Sequence, residues 1–318
     1  MTVPAHHSTP RPRETLDRCA LRAQLRGDPM LGTAFPAAVL LLVEQPGPWG
    51  RNGLRDSRFG PLAAQLERRA AAAGVRVQAI RRPGRTRPSR ARSWAFVDTR
   101  DGVESLAWGS YDDPAQLLEL PIADFVADPS STAPHATPDT EPLYLVCAHS
   151  KHDTCCALRG RPVAAAIEAL RPGRVWECSH LGGDRFAANV LVLPTGLSYG
   201  RVLPFAAPEF VAAAEDGEVI GALLRGRIGL PAPAQAALAF AHEHLALRRR
   251  RDLVVESSGP SSVGVSVVRL RSPHGLIDVT VAAEPVVGDG LTCRNPGRAQ
   301  FVQYRPIDIQ VVHTPSIG

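Results

Sequence analysis

Residues 37–43 form an unbroken apolar run, the pattern of a strand buried on both faces. Gln45-Pro-Gly-Pro-Trp-Gly50 then breaks the chain sharply. Residues 61–73 place Leu62, Leu66 and several alanines on one side and Glu67, Arg68 and Arg69 on the other, which predicts a helix. Residues 75–80 alternate as a strand does, and residues 94–97 predict a second short one. Upstream, residues 16–26 predict a short helix holding Cys19, behind a polar, proline-rich start. The order strand, helix, strand, strand implies a small α/β unit over residues 31–127, after an N-terminal tail and helix at 1–30. Residues 128–141 are rich in Pro, Ser, Thr and Asp and read as a linker.

A second α/β unit is expected over residues 142–250. It opens with a strand at 143–146 that delivers Cys147, followed by a helix at 157–170 and a strand at 175–178. After the Gly182-Gly183 loop come a strand at 189–193, a turn at Pro194-Thr-Gly196 and an extended stretch at 199–203. Residues 208–214 and 233–247 predict helices, the second closed by the cations of residues 248–251, favourable at a helix C-terminus. From residue 251 to 318 the pattern becomes β-rich. Residues 263–270 and 276–282 predict strands around a Pro273-His-Gly275 turn, and 301–312 predict a final strand pair. No internal repeat stands out.

A chain of 318 residues buries a sizeable core and favours two domains over one. Its longest apolar run is too short to cross a bilayer, and its start lacks the apolar segment of a secretory signal. The expectation is a cytoplasmic protein whose clustered cysteines bind metal or do redox chemistry. The net charge of +5 rests on arginine, Lys151 being the single lysine. Six arginines fall in residues 81–92, but no interleaved aromatics or nucleic-acid module accompany them, so a solvated loop is expected and neither nucleic acid nor membrane as partner.

Candidate chemistry sits in two short pieces. Cys147-Ala-His149-Ser-Lys-His152-Asp153-Thr-Cys155-Cys156 carries three of the six cysteines, and Cys178-Ser-His180-Leu-Gly-Gly-Asp184 carries a fourth. Thiolate with imidazole suits zinc, copper or iron–sulfur groups. Cys147 falls at a strand end, Cys156 near a helix start that favours thiolate, and Cys178 and His180 two apart at the next strand end. Neighbouring Cys155 and Cys156 diverge, so one of them is expected to bind and Cys155 either packs or ligates. Asp153 is placed to cap the coming helix, and His149 and His152 read as loop residues. Arg185 could tune a metal group, meet an acidic partner or simply be solvated. His242 and His244 do not share a helix face. Cys19 stands alone as a small buried residue, and Cys293 lies in a turn from which it could approach the site.

Taken with Ser179-His180-Leu-Gly-Gly-Asp184-Arg-Phe-Ala-Ala-Asn189 and Leu193-Pro-Thr-Gly196…Tyr199-Gly-Arg201, these pieces resemble the sucrase/ferredoxin-like family. The resemblance is close over residues 142–202. It implies a thioredoxin-like ferredoxin domain with a [2Fe–2S] cluster, preceded here by the small α/β unit and followed by the β-rich extension. Cys147 and Cys156 would be the thiolate pair and His180 the first imidazole ligand. Some members carry a second histidine four residues after the first; here that place is Asp184. The fourth ligand could thus be Cys178, Asp184 or Cys155, and Cys178 is favoured because thiolate is the usual iron–sulfur ligand.

The expected role is an electron carrier serving an unidentified redox donor or acceptor protein. No catalytic residue emerges, and no paired carboxylates support the sucrase half of the family name. Two other chemistries fit the residues: a thiol–disulfide oxidoreductase, weakened by the absence of Cys-x-x-Cys, and a structural zinc module on Cys147, Cys156, Cys178 and His180.

Overall fold

The apolar run near residue 40 forms β1 (Val39–Glu44), buried on both faces as its lack of alternation requires. The computed structural model describes residues 18–84, 91–132 and 134–312. Half of the arginine-rich run (residues 85–90) and the start of the expected first helix therefore lie outside the described residues. A short helix, α1 (Cys19–Leu25), precedes β1; α2 (Pro61–Ala72), β2 (Val75–Arg81), β3 (Arg92–Asp98) and β4 (Ser105–Tyr111) follow it. α2 is the crossover between the parallel strands β1 and β2, while β3 adds antiparallel to β1 and β4 to β3. After α3 (Ile122–Ala127), the stretch read as a linker contributes a two-residue edge strand, β5 (Thr137–Pro138), to β4.

The next segment repeats that order. β6 (Leu143–Cys147), α4 (Thr154–Leu170) and β7 (Val175–Cys178) form a second parallel crossover unit. β8 (Val190–Leu193) and β9 (Leu197–Tyr199) then add antiparallel on the far side of β6. The two units meet edge to edge through β2 and β7, antiparallel, with Ile80 opposite Cys178 and Arg81 opposite Glu177. α5 (Ala207–Glu215) leads to β10 (Leu224–Arg227) beside β9, and α6 (Ala232–His244) follows. One ten-stranded sheet results, in the order β10-β9-β8-β6-β7-β2-β1-β3-β4-β5.

Alternate side chains divide the core. Val39, Leu41 and Val43 pack against Ala63, Leu66 and Ala70 of α2, and Tyr144 and Val146 pack against Val163, Ala164 and Ile167 of α4. On the opposite face a single apolar layer crosses the seam, from Leu40, Leu42 and Val97 through Ile80 to Cys178, Leu145 and Leu191. The chain is thus a mixed α/β protein with a large sheet. Among the described residues no helix is long and apolar enough to cross a membrane.

The β-rich end is a four-stranded antiparallel sheet of β11 (Val254–Ser262), β12 (Val265–Ser272), β13 (Gly275–Asp289) and β14 (Arg298–Val312). Its apolar face (Val268, Leu270, Ile277, Val279) covers the alanines of α6. Residues 301–312 are one strand here, not a pair. β13 and β14 run well past the region that alternation marks, because their mutual backbone ladder continues as an exposed ribbon that needs no apolar face.

Candidate metal centre

β6 and β7 end side by side, and their last residues, Cys147 and Cys178, are register partners. The carboxyl ends of parallel strands are where crevices open and ligands collect. Beyond Cys147 the chain turns into α4, capped by Asp153, whose carboxylate accepts the Cys155 N–H at 2.8 Å. That cap starts the helix three residues ahead of the apolar periodicity and puts Cys155 and Cys156 in its first turn. The close approach needs Gly160, since a Cβ there would sit 2.0 Å from the Cys147 carbonyl oxygen.

Cys147, Cys156 and His180 bring their ligand atoms within 4.8 Å of one another, and His152, His180 and Asp184 form an overlapping group. Asp184 Oδ1 stands 3.3 Å from Cys156 Sγ and 3.1 Å from His180 Nδ1. That Nδ1 is buried without a hydrogen bond. The structure does not bring Cys178 into either group. It is buried in the same apolar layer as Cys147 and Cys156, and burial pushes its thiol well up.

Electrostatics separate the members of the set. The hydrogen bond from Cys156 holds the Cys147 thiol well below its usual range, with His180 adding to it against the cost of burial. Cys156 is pushed up, by Cys147 first and then by burial. Burial lifts Asp184 to about 6 despite the neighbouring His180. Burial opposes charge on His180, but Cys147 and Asp184 outweigh it and raise its affinity for the proton. A soft cation would replace the protons that these four groups share.

The His180–Asp184 loop is held from several sides. Gly182 and Gly183 both have positive φ, 77° and 69°, and a Cβ on Gly183 would lie 2.7 Å from the guanidinium of Arg225. Arg225 of β10 is fully buried. It donates to Gly182 O (3.0 Å), Asn189 Oδ1 (2.9 Å) and Thr33 O (2.5 Å), and burial lowers its pKa to about 10. From the other unit, β2 contributes Gln78, donating to Ser179 O at 2.7 Å, and Arg76, donating to His180 O at 3.0 Å. His149 accepts the His180 N–H on Nδ1 (3.3 Å), which leaves Nε2–H to donate to Gly50 O (2.6 Å). His149 is thus a brace, and His152 stacks on His180 with ring centroids 3.7 Å apart.

The model of the sucrase/ferredoxin-like proteins matches residues 30–226. The chain belongs to the sucrase/ferredoxin-like family. A curated relative, "Altered inheritance of mitochondria protein 32" of Candida glabrata, is 27% identical over 101 residues, which cover 27% of this chain and 32% of the relative. The chain therefore spans about a third of that relative's length. No solved structure matches.

In this sucrase/ferredoxin-like chain the His180 side opens into a cleft of ≈ 380 Å³ lined by Arg51, Arg55, Arg76, His149, His152 and His180. Arg185, by contrast, is neither solvated nor turned to that cleft. It pairs with Asp28 at 3.2 Å and lies over the rings of Phe186 and Phe301. Sequence reasoning missed Arg225, Gln78 and Gly160, because each acts through a contact with a segment distant along the chain. It also left Cys19 isolated, whereas the structure joins Cys19, Cys155, Cys293 and Asp153 in a second group.

Proposed function

We propose that this chain carries a [2Fe–2S] cluster on Cys147, Cys156, His180 and Asp184 and works as an electron carrier. The observation that carries this reading is the convergence of two buried thiols, an imidazole whose buried Nδ1 has no hydrogen bond, and a carboxylate 3.1 Å from that nitrogen. Two thiolates with imidazole form a donor set suited to iron–sulfur chemistry. The strand order of the second unit, β9-β8-β6-β7 with α4 as crossover, supports the thioredoxin-like arrangement that the family resemblance implies. Asp184 replaces Cys178 as the proposed fourth ligand because its oxygen stands among the donors.

Such a cluster supplies reversible one-electron transfer, at a potential that imidazole ligation raises above all-thiolate centres. The chain's own groups do the rest. Cys147 and Cys156 are wholly buried and exclude water from one side. The side chains of His180 and His152 remain 22% and 34% exposed, so the imidazole side faces the cleft. Arg51 on the cleft wall suits an acidic group on a redox donor or acceptor protein, and such a charge acts mainly on encounter rate. A cytoplasmic setting, where thiols stay reduced, fits this role.

The test is the visible spectrum with iron, sulfide and zinc analysis of the full chain purified without oxygen. A red-brown protein with about two irons and two sulfides per chain, bleached by dithionite, is expected. Iron-free protein after reconstitution would overturn the reading, toward a zinc module if Cys147→Ser abolishes zinc binding and toward thiol redox chemistry if no metal binds. Asp184→Ala should lose cluster at least roughly 10-fold faster than wild type, whereas Cys178→Ala should keep it. Equal retention in the two variants would remove Asp184 as a ligand.

A further inference from the structure

We infer that this chain has a second metal site, for a single zinc ion, formed by the thiolates of Cys19, Cys155 and Cys293 with Asp153 as the fourth ligand. The three sulfurs make a nearly equilateral triangle: 3.6 Å from Cys19 to Cys155, 3.3 Å from Cys155 to Cys293 and 3.5 Å from Cys293 to Cys19. Zinc bound at about 2.3 Å from each of four tetrahedral ligands sets its sulfurs roughly 3.8 Å apart, within a few tenths of an ångström of this triangle. An iron–sulfur cluster whose cysteines bind different irons would hold its thiolates farther apart. The Asp153 carboxylate closes the fourth side, its oxygens 3.7 and 3.8 Å from Cys19 Sγ.

Packing alone does not explain the arrangement. The ligands come from three places: α1, the cap and first turn of α4, and the loop between β13 and β14. Cys293 reaches the others only because the exposed β13–β14 ribbon extends past the apolar sheet. Its tip is pinned at both sides, by Arg26 Nη1 donating to Asp289 O at 2.7 Å and by Arg294 donating to Lys151 O. Asp153 is oriented by two backbone donors, the N–H of Cys155 at 2.8 Å and that of Cys293 at 2.7 Å. Each oxygen keeps a lone pair for a cation. Cys155 and Cys156 are adjacent on α4 and diverge, so this turn of helix serves two centres at once. The zinc would tie the N-terminal helix and the C-terminal ribbon to the frame of the first centre.

The experiment reads zinc and iron separately on the full chain, purified without oxygen and offered zinc under reducing conditions. The expected result is one zinc per chain beyond any iron. Cys19→Ser and Cys293→Ser should each lose that zinc and keep iron and the visible spectrum, and Cys147→Ser should do the reverse. Zinc-edge X-ray absorption of the unmutated chain covers the case of variants that do not fold, and should show three sulfurs and one lighter atom. Two sulfurs with two lighter atoms would place zinc in the first centre and overturn this site. So would no bound zinc, zinc retained in the Cys19→Ser/Cys293→Ser double variant, or a disulfide among the three cysteines of the freshly isolated protein. Loss of iron alone bears on the first centre and leaves this one standing.

Discussion

Single side chains decide what the first centre can hold. Arg225 is the one whose role is least visible from its neighbours in sequence. Its guanidinium satisfies two carbonyls and the Asn189 amide at once, and a planar fork of donors does this where a lysine cannot. Arg225→Met should therefore leave buried acceptors unpaired, at a cost of roughly 3 kcal/mol or more, and free the Gly182-Gly183 loop. The expected outcome is a lower melting temperature together with faster iron loss, while Arg225→Lys recovers part of the stability. A melt unchanged from wild type would show that the loop stands without this brace.

At the scale of elements, α4 is placed by its cap and by one glycine. Gly160→Ala drives a Cβ into the Cys147 carbonyl at 2.0 Å, and backbone cannot yield as a side-chain tip does. A loss of about 3 kcal/mol is expected, a fall in melting temperature of roughly 6 °C or more. Differential scanning calorimetry of the metal-free chain reads it without interference from any bound metal. The end of α6 offers a pH test. Burial pushes His242 below its ordinary 6.5, although the Leu247 carbonyl and Asp252 pull the other way. The unfolded chain then takes up this proton before the folded one, so the contribution is neutral at high pH and destabilising as pH falls below the ordinary value. His242→Gln, which can keep the bond to Leu247 O, should show a shallower loss of stability between about pH 7 and pH 5. Parallel slopes in urea titrations would exclude His242 as a source.

At the scale of the whole molecule, two units of the same strand order share one sheet through a seam only two residue pairs long. The seam is reinforced by Arg81 and Glu177, whose ion pair at 2.7 Å is largely buried and supported by Arg161. Removing one member of a buried pair strands the other. Glu177→Ala should cost about 2–4 kcal/mol, read as a lower urea midpoint with an unchanged slope. A changed slope would mean that the seam opens independently of the rest.

By itself the sequence determined most of the elements and the family. Apolar runs marked β1 and β6, because a strand buried on both faces is rarely polar. Periodicity marked α2, α4 and α6, and the resemblance to the sucrase/ferredoxin-like family pointed to Cys147, Cys156 and His180 as one candidate centre. Asp153 was recognisable as a cap because capping is local. The exposed ribbon of β13 and β14 was not fully readable, since a backbone ladder between two solvated strands leaves no apolar pattern. Tertiary structure alone set Asp184 among the donors, left Cys178 outside the groups of converging ligand atoms, and gathered Cys19, Cys155 and Cys293 from residues 274 positions apart at the extremes. Those outcomes depend on which segments pack together. Local periodicity carries no record of that, because contact between distant segments is decided by the burial of whole surfaces.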